Sequence, residues 1–272
     1  MLEKFFYHLI FAFVCGFTEF LGVDAAPHQL LLTYMSGQEI DPILTVFVRL
    51  GVLAALVFAC WPRIRHLLRE RRMAAISRRF RNRQSDPAAL LDMRLLKTAV
   101  IPLLISVLFY ARVGELFTDL LPLALTLTVN GIILFVPRLL SSGNKDGRSV
   151  SRLDAVLIGC GGALAAIPGF SRMGGMLTAG TARGLDRNYA LDTALLLSAP
   201  TLLFLLVFDF AALFAAKVAF SLAYVLYGAV AFGSAWLAIS LIRFFVGKYN
   251  FSGFAYYSWG VALFTFVLYL II

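Results

Sequence analysis

The sequence is short of charge. Only 14% of its 272 residues are Asp, Glu, Lys or Arg, and only 15 are acidic. A soluble globular domain is roughly a quarter charged and about half apolar, so 14% charged beside 61% hydrophobic excludes an ordinary water-soluble domain. Cysteine is scarce as well. Cys15, Cys60 and Cys160 are odd in number, far apart and each set in an apolar stretch, which excludes a disulfide framework or a CxxC metal site. Of the three histidines, His8 and His66 have no constellation around them and are read as structural. The start, Met1-Leu-Glu-Lys and then a long apolar run, has no basic n-region and no cleavage site, so no leader peptide is expected.

Apolar residues are plentiful: 25 Phe, with a mean hydropathy of +0.86. The net charge of +9 would ordinarily suggest an acidic partner such as nucleic acid. Its distribution excludes that. Residues 63–97 hold 11 of the 24 basic residues against 3 acids, a local balance of +8, which leaves +1 for the other 237 residues. One basic loop in a nearly neutral apolar chain is the pattern of a cytoplasmic loop in a multi-pass membrane protein. Its arginines, from Arg63 to Arg83, could alternatively lie on a helix against anionic lipid headgroups, but a topology signal explains them without that.

A bilayer-spanning helix needs about 20 apolar residues. Segments 41–61, 98–118, 119–140, 188–208, 217–242 and 251–272 qualify, predicting six transmembrane helices. Two further apolar stretches are interrupted: 5–36 at Gly22-Val-Asp-Ala-Ala-Pro27, and 153–183 at Ile167-Pro-Gly-Phe-Ser-Arg172. Each is either a kinked span or a re-entrant pair of half-helices. Irregular backbone at membrane depth survives only where protein or a wet cavity satisfies it. Two such breaks in corresponding positions point to a binding site between repeats. The expected architecture is therefore an all-α integral membrane domain over 1–272, with six transmembrane helices plus two re-entrant helix pairs. It divides into inverted repeats at 5–140 and 153–272. With loop 63–97 in the cytoplasm, the basic segments 138–152, 183–187 and 243–248 fall on the same side and both termini face outside.

A charge at the bilayer centre costs roughly 2.5–3.5 kcal/mol, so the charges in the apolar segments are functional candidates. They are Glu19, Asp24 and His28 around the first break, Arg49 in the first full span, and Arg172 after the second break. The plain alternative is a structural ion pair, for example Glu19 with Arg172. Pro168-Gly169-Phe170-Ser171-Arg172 stands at a half-helix start, where unpaired N–H groups favour an anion. Ser171 would add a hydroxyl donor and Arg172 a fork matched to phosphate oxygens. The glycines alone are equally explained by a kink and close helix packing. Glu19 and His28 could form an acid–base pair or hold a metal, though a buried, hydrogen-bonded histidine is the commoner outcome. Asp24 is equally well read as a turn residue ahead of Pro27.

At these residues the chain resembles the undecaprenyl-pyrophosphate phosphatase family, the membrane proteins linked to bacitracin resistance. The carriers are Gly16-Phe-Thr-Glu-Phe-Leu21 with His28, and Pro168-Gly-Phe-Ser-Arg172 with Gly174. The resemblance implies a lipid-pyrophosphate site at mid-membrane, open to the outer side of the bacterial inner membrane. There, phosphate would be released from the polyprenyl carrier of cell-wall synthesis. Glu19 and His28, with Asp24, would be catalytic. Ser171, Arg172, Gly169 and Arg49 would bind phosphate, and a divalent cation (Mg²⁺ or Ca²⁺) is an expected cofactor with Glu19 its possible ligand. Four positions depart from the family pattern: Cys15 replaces a second glutamate, Ala25 a serine hydroxyl, Arg49 a glutamine and Met176 a threonine. Two accounts follow. Either hydrolysis persists with altered groups, or an attenuated protein binds and flips polyprenyl phosphate, with Asp24, Glu19 and His28 coupling protons.

Overall fold

The computed structural model describes residues 2–23, 25–80, 87–114, 119–140, 143–216, 221–248 and 251–272. The described chain is helical: α1 (Leu2–Thr18), α2 (Ala25–Ser36), α3 (Pro42–Phe80), α4 (Pro87–Gly114), α5 (Leu120–Leu139), α6 (Arg152–Ala163), α7 (Arg172–Ala182), α8 (Arg187–Ala216), α9 (Ala223–Lys248) and α10 (Gly253–Ile271). Six of these, α3, α4, α5, α8, α9 and α10, are long and apolar enough to cross a membrane, and each overlaps one of the six expected segments, of which 115–118 and 217–220 lie outside the described residues.

The boundaries differ from expectation in one instructive place. The apolar run stops at Pro62, but α3 continues unbroken to Phe80, and α4 already starts at Pro87. Most of the basic loop is therefore helix. Past Pro62 the sequence is rich in Arg, Leu, Ala, Met and Glu, all good helix formers that need no apolar surroundings. A helix of 39 residues is about 58 Å long against a hydrocarbon core of about 30 Å, so its basic end stands clear of the membrane.

Both interrupted stretches are helix–break–helix units. The first lies between the end of α1 at Thr18 and the start of α2 at Ala25. The second runs from α6 through a 3₁₀ turn (Leu164–Ala166) and an extended Ile167 to α7. Packing partners recur when the first five helices are matched to the second five. Helix α1 packs on α9 as α6 packs on α4, α3 on α9 as α8 on α4, and α1 on α2 as α6 on α7, while α5 lies against α10. Close approach in the α3–α9 seam needs a missing side chain: a Cβ on Gly51 would lie 2.1 Å from the Gly228 carbonyl oxygen.

Apolar side chains cover the outside as well as the core. Ile101, Leu125, Leu203, Phe214 and Leu263 are all more than half exposed, which an aqueous surface does not tolerate on this scale. The basic connections gather at one end. Lys145 exchanges backbone hydrogen bonds with Gly184 and Asp186, Asp154 binds Lys145 and Arg183, Arg63 pairs with Asp92, and Arg243 lies 3.7 Å from Asp192.

Candidate active site

The two breaks meet inside the bundle, and α5 fastens them. Asn130 is 1% exposed. Its amide nitrogen donates to the Gly22 carbonyl in the first break and to the Ser258 hydroxyl on α10, each at 3.0 Å, while its oxygen accepts from the Ser171 N–H at 2.9 Å. A carboxamide has donors and an acceptor to spare, so one side chain satisfies backbone from both breaks. Thr126 adds a hydrogen bond to the Pro168 carbonyl at 2.7 Å.

Gly169 follows with φ of +103°, a conformation that favours glycine, and a Cβ there would lie 2.1 Å from the Thr126 hydroxyl oxygen. Ser171 then caps α7: its oxygen accepts from the Gly174 N–H at 3.0 Å and its hydroxyl donates to the Leu21 carbonyl at 3.3 Å. Gly169 and Ser171, expected to contact phosphate, are here engaged in the turn, and neither lines the cavity. What the turn does is set Arg172 at the first position of α7.

Arg172 points into an open cavity. Its walls come from α1, α2 and the residues between them (Cys15, Glu19, Ala25, Ala26 and Gln29), from the first turns of α3 (Thr45, Val48, Arg49 and Val52), and from Tyr110, Leu202 and Leu205. These are the early turns of α3 and the later turns of α4 and α8, so the cavity lies toward the end of the bundle opposite the basic connections. The Arg172 Nη1 donates to the Glu19 Oε1 at 2.8 Å, with both side chains at most 10% exposed. The Arg49 Nε and Nη2 donate to the two carboxylate oxygens of Asp209 on α8. Each guanidinium is thus held by a carboxylate in surroundings where an unpaired charge would be costly.

The other expected residues fall differently. His28 does not line the cavity; its Nε2 is 2.8 Å from the Tyr257 hydroxyl and the two rings stack at 5.9 Å. Asp24 lies outside the described residues. Of the four departures from the family pattern, Cys15, Ala25 and Arg49 share the cavity wall. Met176 is buried, and its Sδ would lie 3.1 Å from a Cβ on Gly162, away from the cavity. Asp209 and Asn130 went unread in the sequence. Each carried a signal, an acid just past the end drawn for a span and a carboxamide in the middle of one. Among the described residues no group of three or more His, Cys, Asp and Glu side chains could hold a metal ion.

Helices long enough to cross a bilayer, two fastened breaks and a cavity lined by Arg49, Arg172 and Glu19 define a multi-pass membrane protein with a charged chamber in its bundle. Residues 8–264 match the family described as bacitracin resistance protein BacA, and the chain belongs to that family. It is similar to the undecaprenyl-diphosphatase of Methanobrevibacter smithii, 31% identical over 95% of each chain. The undecaprenyl-diphosphatase of Thermodesulfovibrio yellowstonii is 29% identical over 98% of each. That of Ruegeria pomeroyi is 30% identical, covering 94% of this chain and 96% of its own.

Proposed function

We propose that this protein is a membrane undecaprenyl-diphosphatase, removing the terminal phosphate of a polyprenyl pyrophosphate in the cavity between the two breaks. One observation carries the reading beyond family membership: Arg172 and Arg49, from different halves of the chain, share one chamber at membrane depth. Two guanidinium forks suit two adjacent phosphates, and a chamber walled by Val48, Val52, Leu202 and Leu205 suits a headgroup still attached to its lipid.

The step needs positioning and charge stabilisation more than covalent chemistry. An incoming pyrophosphate takes Arg172 from Glu19 and Arg49 from Asp209. Glu19, released from its partner, accepts a proton from a water that attacks the terminal phosphorus. The bond from that phosphorus to the bridging oxygen breaks, leaving inorganic phosphate and the polyprenyl monophosphate, with the arginines holding the charge on the leaving oxygen. Ala25 carries no hydroxyl, and water is the nucleophile in this scheme. His28, bonded to Tyr257, orients α2 against α10 in this scheme. A Mg²⁺ or Ca²⁺ ion bound here would take Glu19 as a ligand, with the Gln29 side-chain carbonyl beside it, and would supply further neutralisation of the phosphate charge.

The matched packing of α1–α5 and α6–α10 supports two repeats, and the gathering of basic connections at one end supports placing that end in the cytoplasm with both termini outside. The relatives' names lend no support to transport without hydrolysis. The deciding experiment is phosphate release from C55 pyrophosphate by purified protein in detergent, with Mg²⁺, with Ca²⁺ and with neither. Release no greater than that of Arg172→Ala in every condition would end the phosphatase reading. Labelling of an engineered cysteine at either terminus by an impermeant reagent, from the cytoplasmic side only, would reverse the orientation.

A further inference from the structure

We propose that the seam between α4 and α6 binds an anionic glycerophospholipid, its phosphate held by Arg94, Lys97 and Arg152. The site stands apart from the cavity and does not depend on the phosphatase reading.

Helices α4 and α6 enter the bundle side by side from the basic end. A Cβ on Gly159 would touch the Ala99 carbonyl, and one on Gly162 the Leu103 side chain, so the two helices run parallel in close contact. Over their starts lies an open groove of about 1090 Å³ that includes Arg94, Lys97 and Arg152. A second groove, of about 700 Å³ between α3 and α4, shares Arg94 and Lys97 and adds Arg71. Among the described residues no acidic side chain lines either groove. The two carboxylates nearest in sequence face elsewhere: Asp92 to Arg63 and Tyr189, and Asp154 to Lys145 and Arg183.

Charge alone would suit any phosphate. The helix faces below the cations narrow the choice. Along α4 the positions 94, 97, 101, 105 and 108 form one stripe at helical spacing, and Ile101, Ile105 and Leu108 are each at least half exposed. Along α6 the exposed stripe below Arg152 is Leu153, Val156 and Cys160, continued by Leu164 at the start of the 3₁₀ turn. Each helix therefore presents cations at the membrane edge and a continuous apolar face beneath. That matches a molecule with a phosphate head and two acyl chains lying in the leaflet, one chain along each helix. A basic pocket between helix ends is the arrangement that recognises anionic lipid heads.

The test is native mass spectrometry of the full-length protein in detergent, offered dioleoyl-phosphatidylglycerol, dioleoyl-phosphatidylcholine or inorganic phosphate. The wild type should retain phosphatidylglycerol over phosphatidylcholine by about tenfold or more, given the attraction of three cations. Inorganic phosphate should not displace the lipid. The Arg94→Gln/Lys97→Gln/Arg152→Gln variant should lose the preference to within about twofold, and a variant with Lys4→Gln, Arg187→Gln and Lys248→Gln should keep it. Displacement by phosphate, an unchanged preference in the first variant, or an equal loss in the second would each overturn the proposal. Because the first variant could misfold, the wild type is also labelled with a phosphatidylglycerol carrying a diazirine in its acyl chain. Crosslinks concentrated at residues 101–108 and 153–164 support the site; crosslinks spread evenly over the exposed apolar helices overturn it.

Discussion

The two ends of the bundle use the same side chains to opposite purposes. At the basic end, Asp154 is fully buried and closes a capping box with Ser151 while binding Arg183 and Lys145, so its carboxylate ties α6, α7 and the preceding loop together. Burial pushes that carboxyl up, but the Ser151 N–H, the Arg183 guanidinium, the Ser151 hydroxyl and Lys145 outweigh it and hold it near 2. At the other end, the Arg172–Glu19 and Arg49–Asp209 pairs border an open cavity where an anion can take the carboxylate's place. An ion pair locked among several elements is a fastener, whereas one facing a chamber is a resting state of a binding site.

The sharpest way to break this contrast is Arg172→Ala. Phosphate release should fall on the order of 10²- to 10³-fold, the usual effect of losing a group that stabilises transition-state charge, with Arg172→Lys recovering part of it. A variant near wild-type activity would remove the cavity pair from the chemistry. Next comes Gly169→Ala, which forces a side chain into positive φ and against Thr126. A loss of about 1–3 kcal/mol is expected, measured as a lower melting temperature in detergent; an unchanged melting temperature would show that the turn relaxes freely.

A smaller effect is expected from the second cavity pair. Arg49→Gln strands Asp209, so stability should fall, and adding Asp209→Asn should restore much of it. A coupling of about 0.5–3 kcal/mol in that double-mutant cycle checks the pairing; simple additivity would deny it. The smallest effect belongs to the fastener. Asp154 is held below its ordinary value of 3.8, so it stabilises the fold above that pH and loses the contribution as pH falls toward 2. Melting temperature should drop more steeply between pH 4 and 2 in the wild type than in Asp154→Asn, with the same KM in both at neutral pH. Parallel pH profiles would mean the carboxylate is not the fastener it is taken to be.

Much of this was legible in the residues, and the misses have physical causes. The six spans could be read because crossing a bilayer demands length and hydropathy, which are properties of the chain alone. The breaks could be read because Gly22 and the Pro168-Gly169 pair stand with polar residues in the middle of apolar runs, whereas Pro62 lies alone and α3 continues through it. Glu19, Arg49 and Arg172 stood out as charges in apolar surroundings, and all three line the cavity. Asp209 gives a weak signal because it stands one residue past the apolar run 188–208, where a charge is unremarkable. Asn130 was passed over because hydropathy averages a lone carboxamide away. Ser171 and Gly169 read as phosphate ligands, and in the structure they form the cap of α7 and the positive-φ turn before it, roles that draw on the same residue types. His28 reads either as a partner for Glu19 or as a hydrogen-bonded histidine, and in the structure its Nε2 meets the Tyr257 hydroxyl.

The sequence by itself determined that this chain lives in a membrane, where its helices run, where two of them break and which charges lie at depth, because local composition sets solvent and helix. Only the tertiary structure decided the partners. Arg172 with Glu19, Arg49 with Asp209, and Asn130 between Gly22 and Ser171 are residues 41 to 160 positions apart. Such pairings follow from how long helices pack around the breaks, and no local pattern encodes them.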